Sequence, residues 1–299
     1  MNSIPGDKLA QDVDAETLAQ VTIGFTGAEL SNLVNRAKLI ASIDESATVI
    51  SYSHFKKAKD FISLGPERDL VMSEEEKQRT AYHEAGHAVV ALATPGSFPV
   101  YQATIVPHGN NLGLVISSPE KDINHMSLNM LENRIDMALG GFLAEEIKYG
   151  YKNISTGASS DLKIVNEIAK IIVSSGFGER TGFLQPLENP LNCSQLAKQN
   201  FEDDMTDLME QSRKRAKDIL VKHETAWKAI AEALIQYENL SREHLEEIFK
   251  NNSKMNKKKV FKLCEKLHMS VHQSKLFKPC GPFFLVKKNP RSRFQKKTS

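Results

Sequence analysis

The stretch Tyr82-His83-Glu84-Ala85-Gly86-His87-Ala88 constrains this chain more than any other. Two histidines four residues apart on a helix project their imidazoles from one face, close enough to grip one metal ion. The glutamate between them lies where it can accept a proton from water. Such a stretch needs a helix at this point, a further ligand from elsewhere and an open cleft beside it.

The flanking residues supply the helix. Ser73 with Glu76 three residues on has the spacing of a capping box, and Glu74, Glu75 and Glu76 suit the positive start of a helix. Thr94-Pro95-Gly96 ends it, so the spacing predicts a helix running to Ala93, with His83 and His87 in mid-length. Gly86 inside it costs about 1 kcal/mol against alanine and calls for a close approach by another backbone or a substrate. His-Glu-x-x-His is the pattern of zinc-dependent peptidases, in which three protein ligands hold the metal and a fourth position stays open. The metzincin extension is absent, because Val90 and Ala93 stand where its glycine and histidine belong. The third ligand must therefore come from the carboxylates downstream: Glu120, Asp122, Glu145, Glu146 or Asp161. Asp161 opens a helix after a small-residue loop and Glu145 is its rival; spacing alone leaves the choice open.

Around this helix the pattern is mainly α with a short β-hairpin. Residues 1–65 read as a small helical bundle: Asp14 caps a short helix, and Thr26 with Glu29 opens a second that carries Leu30, Leu33, Val34, Ala37 and Leu39. Ser53 can cap a third, with Phe55, Ala58, Phe61 and Ile62 inward. Residues 64–68 read as a linker. Two β-rich runs, 100–106 and 112–117, flank Pro107-His108-Gly109-Asn110-Asn111 and predict a hairpin. Its edge could accept an extended peptide as one more strand, although a buried hairpin without that role fits equally well. A helix over about 128–149 carries Leu131, Ile135, Leu139, Leu143 and Ile147, and its Gly140-Gly141 pair predicts close approach to a neighbouring helix. The next helix begins near Asp161 and closes at Gly176. After a loop-rich stretch to 192 come helices over roughly 201–222, 225–236 and 241–250.

The net charge of +2 hides an acidic body and a basic tail: residues 1–253 hold 25 Lys and Arg against 36 Asp and Glu, and residues 254–299 hold 14 against one. The tail has Pro279, Pro282 and Pro290 and no sustained period, which predicts disorder. Its clusters, Lys257-Lys258-Lys259 and Lys296-Lys297, could touch nucleic acid or an anionic membrane; a solvated tail is the preferred reading. Cys193, Cys264 and Cys280 form no CxxC pair and read as free thiols. No run approaches 18 apolar residues, and the first 20 residues lack the marks of a signal or transit peptide.

Five separate motifs occur in one order: Gly24-Phe25-Thr26-Gly27-Ala28-Glu29-Leu30, Gly65-Pro66-Glu67-Arg68, the His83–His87 core, Gly140-Gly141-Phe142-Leu143-Ala144-Glu145-Glu146, and Thr156-Gly157-Ala158-Ser159-Ser160-Asp161-Leu162. Over residues 1–252 the chain resembles the C-terminal half of FtsH-type AAA proteases, most of all the mitochondrial i-AAA proteases. The resemblance implies a small helical AAA lid over 1–65, a linker over 66–72, a mostly helical zinc peptidase domain over 73–252 and a basic tail over 253–299. It implies Zn2+ held by His83, His87 and Asp161, Glu84 as the catalytic carboxylate, Glu145 orienting a ligand, and Gly27 and Ala28 near adenine. Unfolded or membrane-associated proteins are the implied substrates, and a homo- or hetero-hexamer at the mitochondrial inner membrane is the implied assembly. The phosphate-binding loop, acidic magnesium-binding strand and membrane helices of that family do not occur in these 299 residues. The expectation is therefore a fragment, truncated product or partial gene model that does not bind and hydrolyse ATP alone. His108 replaces an arginine and Phe142 a basic residue usual in the family. The alternative expectation is an inactive truncated partner that assembles with a full-length homologue.

Overall fold

The computed structural model describes residues 8–44, 47–66, 68, 70–109, 111–121, 123, 125–183 and 194–251. The expectations for the basic tail and for Asp122 lie outside these residues.

Local capping sets the first helices. The Asp14 carboxylate accepts from the Thr17 N–H at 2.9 Å and starts α1 (Ala15–Val21). Thr26 and Glu29 bond reciprocally, at 3.3 and 2.7 Å, and start α2 (Gly27–Ile43). The third helix, α3 (Tyr52–Leu64), begins earlier than the Ser53 reading: Ser51 precedes it, and its N–H donates to Nδ1 of His54 at 3.0 Å. A histidine there takes the place that a glutamate usually holds in such a box. Leu33, Ala37 and Ala41 of α2 pack with Ile50, Phe55 and Ala58 in a small apolar cluster, whereas Leu30, Val34 and Leu39 remain exposed.

A second, larger cluster forms around α4 (Glu74–Ala93), which Ser73 and Glu76 cap as a box and which is buried from Thr80 to Ala91 except at His83. Buried on nearly every side, it is a central helix rather than a surface one. α5 (Leu128–Tyr149) crosses it where Gly86 meets Gly140. A Cβ on Gly86 would press into the Gly140 carbonyl, and one on Gly140 would lie 2.7 Å from the Gly86 oxygen. The mid-helix glycine expected to admit a neighbour thus admits a backbone. α8 (Glu224–Tyr237) packs on another side, with the Trp227 indole donating to the Tyr82 carbonyl at 3.0 Å and its ring edge-on to Tyr82. α6 (Ser159–Ile172) and α7 (Gln195–Lys222) pack against α5, and α9 (Arg242–Asn251) closes the end of the cluster.

The expected hairpin is two strands of a three-stranded antiparallel sheet. β1 (Val100–Thr104) lies between β2 (Leu114–Ser117) and β3 (Asn239–Ser241). β3 has three residues, too few for alternation to register in the sequence. Glu238, left-handed at φ 60°, turns the chain from α8 into it, and the Glu238 carbonyl accepts from the Ile105 N–H at 2.9 Å and the Thr104 hydroxyl at 3.1 Å. β2 is left at one edge, against α4. Among the described residues no helix is long and apolar enough to cross a membrane.

Candidate metal centre

His83 and His87 project from one face of α4 with ring centroids 4.8 Å apart, and α6 brings Asp161 to them. Asp161 lies in the first turn of α6, where the helix dipole favours a carboxylate. A short 3-10 turn, Thr156–Ala158, leads into that helix, and the Ser155 hydroxyl caps it by accepting from the Gly157 N–H at 3.2 Å. His83 Nε2 is 3.1 Å from Asp161 Oδ2 and 3.1 Å from His87 Nε2, and His87 Nε2 is 3.5 Å from Asp161 Oδ2. Tetrahedral zinc with bonds of 2.0–2.2 Å needs donor atoms separated by about 3.3–3.6 Å. Two imidazoles and a carboxylate at this spacing therefore fit the metal in donor type and in size.

The other ring nitrogens are occupied, as metal-binding histidines require. His83 Nδ1 donates to Glu145 Oε1 at 2.9 Å and His87 Nδ1 to the Met137 carbonyl at 2.8 Å. Each bond keeps a proton on Nδ1, so Nε2 is the nitrogen that faces the shared space and takes either a proton or a metal there. Glu145 is itself held: its Oε2 accepts from Arg79 at 3.1 Å and the Ser155 N–H at 2.9 Å, and its Oε1 from the Ser155 hydroxyl at 3.0 Å. The two rivals left open by spacing thus stand on opposite nitrogens of one imidazole. Of the remaining carboxylates, Glu120 pairs with Arg242 and Glu146 with Arg213 and Lys217. Gly27 and Ala28, in the first turn of α2, are not in this cluster.

Charge follows from the same contacts. Burial opposes a proton on His83, but hydrogen bonds to Asp161 and Glu145 outweigh it and push the imidazole up to about 10. Burial likewise opposes ionised Glu145, yet His83, Ser155 and Arg79 pull it down to about 2. Asp161 is held well below the usual carboxylate range, its burial outweighed by the two histidines. A site that favours a positive proton between its donors favours a metal cation in the same place. Glu84 behaves differently: burial raises its carboxyl despite the neighbouring histidines. It lies under the backbone at Gly113, where a Cβ would be 2.8 Å from its Oε1.

Sequence reasoning missed Arg79, Ser155 and Gly113. Arg79 stands one helical turn before His83 on the same face, so helical spacing could have found it. Ser155 and Gly113 reach the site from loops, and spacing gives no signal for them.

Residues 70–248 match the model of peptidase family M41, and residues 12–57 match the AAA+ lid domain. The chain is 39% identical over 247 residues to the ATP-dependent zinc metalloprotease FTSH 11, chloroplastic/mitochondrial, of Arabidopsis thaliana, covering 82% of this chain and 30% of that protein. It is 37% identical over 254 residues to the ATP-dependent zinc metalloprotease FtsH of Haemophilus influenzae, covering 80% and 40%. It is 36% identical over 244 residues to the mitochondrial inner membrane i-AAA protease supercomplex subunit YME1 of Saccharomyces cerevisiae, covering 81% and 32%. The chain thus spans well under half the length of these relatives.

Proposed function

This chain belongs to peptidase family M41, and from that premise we propose that it is a zinc metalloendopeptidase whose metal is held by His83, His87 and Asp161. The observation that carries the reading is the set of three donor atoms 3.1–3.5 Å apart, with both second imidazole nitrogens already committed to acceptors. Zinc, when bound there, supplies Lewis acidity that eases the ionisation of water and polarises a peptide carbonyl. Glu84, with its carboxyl raised by burial, takes the proton from the attacking water and returns it to the departing amine. Glu145 holds the His83 ring in orientation, and Arg79 and Ser155 hold Glu145. The outer edge of β2, which starts one residue after the Gly113 that lies against Glu84 and has no strand on it among the described residues, is where an extended peptide adds as a further strand.

The wider assignment rests on the resemblance and on the relatives' names. Residues 1–65 act as an AAA lid, with Gly27 and Ala28 near adenine; 66–72 form a linker, 73–252 the peptidase domain and 253–299 a basic tail. The peptidase acts on unfolded or membrane-associated proteins as part of an ATP-dependent hexamer at the mitochondrial inner membrane. The complete donor set and the adjacent base favour this over an inactive assembly partner.

The test is zinc analysis of the purified chain together with cleavage of an unfolded protein. Glu84→Gln keeps the metal and lowers cleavage by about 100-fold or more. Undiminished cleavage by that variant removes Glu84 from its role. Zinc bound by a wild-type chain that cleaves nothing supports the assembly partner instead.

A further inference from the structure

The two adjacent glycines of α5 face different things. A Cβ on Gly140 would meet backbone: the Gly86 oxygen at 2.7 Å, the Gly86 carbon at 2.9 Å and the His87 nitrogen at 2.9 Å. The three atoms nearest a Cβ on Gly141 would instead be imidazole ends, His83 Nε2, His83 Cε1 and His87 Nε2, each at 2.5 Å. Those two Nε2 atoms, 3.1 Å apart, are the nitrogens that face Asp161. That Cβ would stand about 2.0 Å from the midpoint of the two nitrogens, inside the space their rings fill when both face a metal. The imidazoles cannot stay in place either, since carbon and nitrogen do not approach to 2.5 Å without bonding. Turning them aside breaks their hydrogen bonds to Glu145 and to the Met137 carbonyl.

We propose that Gly141 is the residue that lets this site hold a metal: its bare Cα forms the back wall of the site, and any side chain there excludes the ion while sparing the helix crossing. This rests on the zinc reading above. Gly140 serves the crossing and Gly141 the site, although both belong to one motif. The division follows from what each Cβ would strike, because a rigid backbone cannot yield whereas a side-chain end can rotate away. Alanine also favours a helix over glycine, so nothing in α5 itself opposes the change at 141.

The test compares Gly141→Ala and Gly140→Ala with the wild-type full chain, using zinc alone as the ligand. Zinc stoichiometry and affinity are measured by competition with a chromophoric chelator, and folding of the metal-free protein by circular dichroism and its thermal midpoint. Expected results are one zinc per wild-type chain, affinity lowered at least 100-fold in Gly141→Ala, and a metal-free midpoint that falls less in Gly141→Ala than in Gly140→Ala. Wild-type zinc affinity in folded Gly141→Ala overturns the inference and leaves the metal reading standing. A metal-free Gly141→Ala that unfolds as readily as Gly140→Ala also overturns it, because the glycine then serves packing. A wild-type chain that binds no zinc overturns both.

Discussion

Replacing Glu145 by glutamine removes one oxygen and one charge from a carboxylate that receives four hydrogen bonds. Its Oε1 takes the His83 Nδ1–H and the Ser155 hydroxyl, and its Oε2 takes Arg79 and the Ser155 N–H. An amide has a single acceptor oxygen, so one pair of donors must face an NH2 group whichever way it is placed. If that group faces His83, the imidazole must move its proton to Nε2 and loses the lone pair aimed at the metal. If it faces Arg79, a guanidinium is left against two N–H bonds beside a cationic site. Either arrangement should lower zinc affinity by about 10- to 100-fold, or about 1.4–2.7 kcal/mol. Unsatisfied donors should further cost the metal-free fold about 1–3 kcal/mol. Glu145 is nearly fully buried and is held down at about 2, so the wild-type residue is ionised throughout the working pH range and the variant differs from it at every such pH. Chelator competition at pH 7.5 reads the affinity, and nitrogen chemical shifts of the imidazoles read the tautomer. A folded variant with wild-type zinc affinity and His83 still protonated on Nδ1 would refute the orienting role.

Two further outcomes follow from the fold. Gly86→Ala forces α4 and α5 apart at a backbone contact; overpacking of about 1–3 kcal/mol outweighs the roughly 1 kcal/mol that alanine gains in a helix, and the thermal midpoint should fall by several degrees. A midpoint at or above wild type would show that the crossing is looser than it appears. Asp204, buried in α7, accepts from the Thr181 N–H at 2.8 Å and from the Arg180 backbone and side chain at 3.1 Å. Burial would raise its carboxyl, but these donors outweigh it and lower it. Its contribution, about 1.5–3 kcal/mol, is present above the unfolded carboxyl value near 4 and is lost as the pH falls through the lower folded value. Urea midpoints of wild type and Asp204→Asn should therefore differ at pH 7 and converge below about pH 4; a constant difference would contradict this.

The helices were legible where their signals are local. Ser73 with Glu76 and Thr26 with Glu29 cap within one turn, and apolar spacing from Leu128 to Tyr149 fixed α5 at both ends. The same rule misplaced the start of α3, because a histidine at 54 completes a box that sequence reading reserves for acids or amides. β3 escaped because its three residues become a strand only by pairing with β1, over a hundred residues earlier.

The sequence by itself determined that two imidazoles and a carboxylate share one helical turn, since a four-residue separation on a helix requires it. It also determined that small residues surround them. Tertiary structure decided what completes the cluster: α6 brings Asp161 to the Nε2 side of His83, while α5 brings Glu145 to the Nδ1 side. It likewise decided what each glycine is for, backbone contact at Gly86 and Gly140 and open space before the imidazoles at Gly141. Carboxylates and glycines look alike in a sequence. Which nitrogen a carboxylate meets, and what a missing Cβ leaves room for, depends on how separate helices cross.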